Sequence, residues 1–320
     1  MTGKANWIVV GLLGSAIGLT AARDARAGGD ALKVSGFVDA QYQSAGIDSS
    51  FVVQDSALYF SKTMSSGEVM LDLPLSSARN ADNPHFSVGL GKAQAYLGYK
   101  YESGLSWKIG QFDTPFGFEL NDTKDITFST QGLVYGVIPV VHTGLLVGYS
   151  LSDSVGIKLL AANHHDLGTM AGLTPDWGGQ LTANVGSIRS SAGLLVTDKN
   201  SGEEFLIDLL LGTTLGDLAL DGWVDIKKVN NKAGTTTLGT GYFLQAIYGL
   251  SDKLSAGVRG ELTKNIGVND TVTQLTVGPQ YALTKELKFR ADYSIKGAQV
   301  LAGGTTATSH SANIGAVYSF

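Results

Sequence analysis

The chain has 320 residues, 23 basic against 28 acidic for a net charge of −5, no cysteine, 42 glycines and 6 prolines; 43% of it is hydrophobic and only 16% charged. The acidic balance argues against nucleic acid as a partner, because phosphate contacts need a basic surface, and the lack of Cys rules out a disulfide framework. Glycine recurs inside apolar segments without a collagen-like period, so it marks neither a triple helix nor disorder.

At the N-terminus Lys4 precedes an apolar run from Trp7 to Ala22, and Ala25-Arg26-Ala27 follows with small residues around a cleavage point. This is the layout of a secretory signal peptide. The run is short for a spanning helix of about 20 residues and is interrupted by glycine. Residues 1–27 are therefore expected to be a signal peptide and 28–320 the mature domain, with 20 basic and 27 acidic residues and a charge of −7. Beyond Ala27 no apolar stretch approaches the length of a spanning helix, so a membrane crossing requires strands paired into a closed barrel.

The mature part alternates with a period of two. In the first strand Val34, Gly36, Val38, Ala40 and Tyr42 share one face, and Ser35, Phe37, Asp39, Gln41 and Gln43 the other, as strand geometry dictates. The contrast is cleaner in 287–296, where Leu287, Phe289, Ala291, Tyr293 and Ile295 oppose Lys288, Arg290, Asp292, Ser294 and Lys296. A soluble sandwich also alternates. A longer period separates the two: Tyr149-Ser150-Leu151-Ser152-Asp153-Ser154-Val155 recurs as Tyr248-Gly249-Leu250-Ser251-Asp252-Lys253-Leu254 and as Tyr281-Ala282-Leu283-Thr284-Lys285-Glu286-Leu287. Tyr99 and Tyr318 hold the equivalent place. The opposite strand ends are joined by longer polar segments at 163–177, 198–203, 228–238, 264–271 and 298–309. Interfacial aromatics, short turns on one side and long loops on the other are the asymmetry of an outer-membrane barrel.

Strands are predicted near 32–44, 51–62, 68–76, 87–100, 104–112, 139–150, 155–163, 178–187, 190–197, 204–213, 218–227, 239–250, 254–263, 272–283, 287–297 and 310–320. They make an all-β, antiparallel transmembrane barrel of 16 strands, an even number as bacterial single-chain barrels require, with 14 or 18 as alternatives. The last strand alternates Ile314, Ala316, Tyr318 and Phe320 against Gly315, Val317 and Ser319. It looks like the terminal signal read by the barrel-assembly machinery, with Tyr318 and Phe320 as its aromatics.

One segment is not explained by barrel geometry: Gly110-Gln111-Phe112-Asp113-Thr114-Pro115-Phe116-Gly117-Phe118-Glu119. It resembles the Gly-Gln-Phe-x-x-Pro-Phe-Gly-x-Glu motif of the OmpL-like β-barrel porin family. His142-Thr143-Gly144, and Ala162-Asn163-His164-His165-Asp166 in place of an Asn-Gly-Trp-Asp turn, extend the resemblance over the mature chain. The segment opens the longest connection, 113–138, too long for a compact turn. Pro115 fixes its exit and Gly117 permits a tight bend. The resemblance implies that this loop folds into the lumen after the fifth strand and narrows it; the other arrangement is a lid projecting outward.

The inward face carries Lys92, Lys100, Lys108, Lys158, Arg259, Lys288, Arg290 and Lys296 among Asp72, Asp208, Asp221, Asp225, Glu261 and Asp292. A charge facing lipid at the midplane costs about 2–4 kcal/mol, which forces this sorting and wets the interior. The expected constriction sets Arg259, Arg290 and Lys108 on the wall against Asp113, Glu119, Asp122 and Asp125 of the loop. Losing Arg259 and Arg290 should then move selectivity toward cations, and losing Glu119, Asp122 and Asp125 the other way.

The reading is an outer-membrane porin for passive diffusion of ions and small polar solutes, in contact with outer-membrane lipids, with no cofactor and no resident metal. Barrels of this size often trimerise, and the sequence leaves a homotrimer open. The rival readings are a barrel lipid hydrolase and a closed adhesive or structural barrel. No Gly-x-Ser-x-Gly nucleophile elbow and no His-Glu-x-x-His zinc motif occurs. Gly89-Leu90-Gly91-Lys92 does not continue into a phosphate-binding loop, and adjacent His164 and His165 would diverge on a strand.

Overall fold

A computed structural model describes residues 31–45, 48–64, 66–77, 88–90, 93–163, 175–199, 202–231, 234–266, 269–300 and 306–320. The expected signal peptide, His85, Lys92, His164, His165 and Asp166 lie outside them.

The strands are β1 (Lys33–Ala45), β2 (Asp48–Met64), β3 (Gly67–Ser77), β4 (Val88–Leu90), β5 (Gln94–Lys100), β6 (Leu105–Asp113), β7 (Val141–Ser150), β8 (Val155–Ala162), β9 (Asp176–Val185), β10 (Ile188–Lys199), β11 (Gly202–Leu215), β12 (Leu218–Asn231), β13 (Thr236–Gly249), β14 (Leu254–Ile266), β15 (Asn269–Ala282), β16 (Leu287–Val300) and β17 (Thr306–Ser319). β4 and β5 both pair with β3, one above the other, so they are two pieces of one spanning strand. The result is a closed antiparallel barrel of 16 spanning strands. Closure comes from β1 pairing with β17, from Phe37↔Ser319 to Ala45↔Ser311. The last residue takes part: Phe320 and Gly36 exchange both backbone hydrogen bonds at 3.0 Å.

Alternation sorts the side chains as barrel geometry requires. On β1, Val34, Val38 and Tyr42 are exposed on the outer face while Phe37, Asp39 and Gln41 are buried inside. On β16, Leu287, Phe289, Ala291, Tyr293 and Ile295 stand opposite buried Arg290, Asp292 and Ser294. The repeated turn has a local cause. Ser152, Ser251 and Thr284 each turn a hydroxyl back onto the amides two and three residues on, at 3.0–3.3 Å, the hydroxyl-closed turn that Ser and Thr support. Tyr149, Tyr248, Tyr281 and Tyr318 sit exposed on the outer face at this rim, which outer-membrane barrels turn to the periplasm.

Several polar segments expected as loops are strand. β12 runs on to Asn231, β13 begins at Thr236, and β14 and β15 pair up to Ile266↔Asn269. Beyond the hydrocarbon layer both faces of a hairpin meet water, so polarity there marks the end of lipid contact rather than the end of pairing. The connection between β6 and β7 is long, as expected.

Candidate functional site

Residues 114–140 leave β6 at its outer end, turn into the lumen and return to β7, carrying two short 3-10 turns at Thr123–Asp125 and Val134–Val137. The entry is set by the motif. His142 Nε2 meets Thr114 Oγ1 at 3.1 Å, and Gln180 donates to the Pro115 carbonyl at 2.5 Å. The Phe116 ring lies over Gly178 and Gly193; a Cβ on either would come within 2.9 Å of it. Gly117 has φ +87°, and a Cβ there would run into the Ile138 side chain and the Trp223 ring. Its amide donates to Asp208 at 3.0 Å, and the same carboxylate accepts Trp223 Nε1 at 2.8 Å.

Past this bend the loop buries an apolar side against the wall. Phe116, Phe118, Val134, Val137 and Ile138 pack on Leu146, Leu160, Leu195, Leu206, Trp223 and Phe243. Burying a side chain of this size contributes about 1.5–3 kcal/mol. The interior is therefore not uniformly polar, as the sorting of charges alone had suggested: the sector from β7 to β13 turns Leu and Phe inward because the loop, not water, covers it.

Two buried arginines hold the rest. Arg259 on β14 bonds Glu119 at 2.6 Å and the Thr130 carbonyl at 3.1 Å, and its Nε lies 3.0 Å from Glu261 Oε2. That last pair is close but off hydrogen-bond geometry, so it is a Coulombic contact. Glu119 and Glu261 in turn accept the Gly132 and Val134 amides at 2.6 and 3.2 Å. Arg290 on β16 bonds Asp39 at 2.5 Å and the carbonyls of Thr123 and Phe128 at 2.7 and 2.9 Å. Asp39 also takes Thr123 Oγ1 at 2.7 Å, and Asp55 takes the Thr123 amide at 2.9 Å. These two acids face each other across a register shift in β1 and β2; like charges directly opposite are unfavourable, and the loop supplies the donors that offset them. Gln41 and Asp292 grip Ser129 by its carbonyl and amide, at 3.0 and 2.8 Å. At the tip, Lys288 and Gln280 reach the carbonyls of Lys124 and Thr127 close to the periplasmic rim.

The remaining edge of the loop faces β2–β6 and stays partly exposed. Asn121, Asp122, Lys124 and Tyr135 lie on the loop side, and Tyr59, Glu68, Tyr96, Lys108 and Asp113 on the wall. Tyr59 donates to Asp122 at 2.5 Å. Burial pushes the Asp122 carboxyl up to about 6, against the pull of Lys124 and of the Tyr59 hydroxyl. Lys124 pairs with Asp125 and lies 3.8 Å from Asp122. Below the tip a cavity of about 790 Å³ opens toward the short turns, lined among others by Phe118, Asp125, Arg189, Asp221 and Lys288.

The expected site residues thus fall into two groups. Arg259 and Glu119 are joined and, like Arg290, are buried within the loop's anchorage; they are not charges presented to an open lumen. Lys108, Asp113 and Asp122 lie nearer the open edge, and Asp125 lines the cavity below the tip. Sequence reasoning named Asp292 and Glu261 only as wall charges and missed Asp39, Gln41, Asp55 and Trp223 as loop partners; their one signal was a polar or ring N–H group on the inward face.

A closed barrel of this size with a loop tied across its lumen defines an outer-membrane channel protein. The chain belongs to the family described as "Putative beta-barrel porin-2, OmpL-like", whose profile matches residues 60–320. The fold is shared with solved porins. An anion-selective porin from Comamonas acidovorans is 13% identical, with TM-score 0.66 over 91% of this chain and 100% of its own. The outer membrane channel DcaP of Acinetobacter baumannii is 15% identical, with TM-score 0.66 over 91% and 98%. OmpF of Salmonella typhi, solved with daunomycin, is 14% identical, with TM-score 0.68 over 91% and 98%. No curated relative matches the sequence.

Proposed function

We propose that the chain is a passive diffusion channel for ions and small polar solutes, narrowed by the loop at 113–138. The observation that carries this is the anchorage itself: a loop fastened inside the barrel by two buried arginines constricts the lumen while leaving a polar, partly exposed edge. A hydrolase reading gains nothing from these contacts, which tie the loop to the wall rather than pair a nucleophile with a base. Purified protein in planar bilayers is expected to give discrete ion conductance. A silent bilayer with correctly folded protein would overturn the channel reading and favour a closed structural barrel.

Assembly belongs to the same reading. Tyr318 and Phe320 stack at 6.3 Å on the outer face, with Phe320 half exposed, so the terminal ring is accessible to a recognition factor. Its backbone, not its ring, makes the bonds to Gly36. Phe320→Ala is therefore expected to lower the amount reaching the outer membrane more than it lowers resistance of the folded barrel to urea. Quantified outer-membrane fractions and unfolding midpoints decide this, and unchanged abundance would count against a signal role.

A further inference from the structure

The cavity below the loop tip is not lined by polar groups alone. Its roof is the underside of the loop, with Phe118 and Ile126, and its wall includes Ile247, Ala282 and Val317. Register sets the last two beside a lysine: Ala282 on β15 and Val317 on β17 are the cross-strand partners of Lys288 on β16, which lines the same cavity. Side chains directly opposite each other on one face of a sheet are close enough to touch, so apolar surface and a cation share one stretch of wall. The volume of about 790 Å³ falls within the range of small-molecule sites, which are mostly apolar with a few placed polar groups.

Lys288 is also the charge left over. Of the other charges around the cavity, Glu119 pairs with Arg259, Asp125 with Lys124 and Asp221 with Arg189. Asp217, Asp252, Lys253, Lys285 and Glu286 stand on exposed turns at the mouth. Lys288 Nζ donates to the Lys124 carbonyl at 3.3 Å, and among the described residues no carboxylate comes within ion-pair distance of it. Asp125 acts on it from farther off but is taken by Lys124. An ammonium carries three donors, and a carbonyl uses one.

We propose that this vestibule binds organic anions with an apolar body, the carboxylate on Lys288 and the body between the underside of the loop and the wall at Ile247, Ala282 and Val317. This rests on the diffusion-channel reading and names a class of solute for it. The site discriminates twice: an apolar cation meets an ammonium with no counter-charge, and a small anion without the apolar body leaves the wall wet. In a half-enclosed space the charge contact is stronger than in bulk water.

The test is block of the ion current of folded protein in planar bilayers by naphthoate. Wild type is expected to be blocked at concentrations where acetate, which has the charge without the body, and naphthylmethylammonium, which has the body with the opposite charge, have no effect. Lys288→Gln, whose amide still donates to the Lys124 carbonyl, is expected to conduct and to weaken the block roughly tenfold, the loss of one charge-assisted contact. Lys285→Gln at the mouth should leave the block unchanged. Equal block of Lys288→Gln and wild type, or equal weakening by Lys285→Gln, would overturn the assignment with the channel intact. Should Lys288→Gln not fold, wild type decides, since equal block by the two naphthyl ions would overturn it too. Absence of wild-type conductance would instead remove the channel reading, and fluorescence anisotropy of naphthoate with folded protein in nanodiscs then decides the vestibule alone: binding of naphthoate in preference to naphthylmethylammonium supports it, and no binding overturns it.

Discussion

Arg290→Ala is expected to free the tip of the lumen loop and raise single-channel conductance, with added current noise from a mobile segment. The substitution strands the Asp39 carboxylate and removes the donor to the Thr123 and Phe128 carbonyls. Breaking a buried ion pair by removing one partner costs about 3–5 kcal/mol, which moves the balance between docked and released tip by roughly two to four orders of magnitude. Gln41 and Asp292 still hold Ser129, so the release is confined to the tip. Arg290→Lys is expected to fall between, since an ammonium supplies charge to Asp39 but lacks the planar fork that reaches several acceptors at once. Conductance of Arg290→Ala equal to wild type would show that Arg290 does not hold the constriction.

The two arginines are legible in the sequence as lumen charges; their partners are not. The clean alternation of 287–296 places Arg290 inward on β16 without ambiguity. That it meets Asp39, 251 residues away, follows from closure of the barrel, which sets β1 beside β17, and from the path of the loop, neither of which is a local property. The motif at 110–119 announces a bend through Pro115 and Gly117, but not that Phe116 needs bare backbone at Gly178 and Gly193. On β11 the signal blurs for a physical reason. Phe205, Ile207, Leu209 and Leu211 face outward while Leu206 and Leu210 face the loop, so both faces are apolar and alternation loses contrast. Polar hairpins such as Lys228 to Thr237 look like loops in the sequence because polarity reports the solvent and not the pairing.

Coupling between Arg259 and Glu119 is the sharpest measure of whether the loop is held by charge. Arg259→Ala leaves two carboxylates, Glu119 and Glu261, buried side by side without a cation, so it is expected to be the most damaging single change at the loop. Glu119→Gln is milder: the amide oxygen still accepts the Gly132 N–H, and Arg259 keeps Glu261 and the Thr130 carbonyl. In the double variant the neutral amide at position 119 no longer adds to the stranded charge. The combined loss is therefore expected to be smaller than the sum of the two single losses by about 0.5–3 kcal/mol, the range found for residues in direct contact. Lys124 offers a readout within the loop, because trypsin reaches it only when the tip leaves the lumen; the cleavage rate of folded protein in detergent then reports the released fraction for each variant. Strict additivity across the cycle would mean that the apolar side of the loop, from Phe116 to Ile138, holds it in place and that the ion pair at 2.6 Å merely accompanies it.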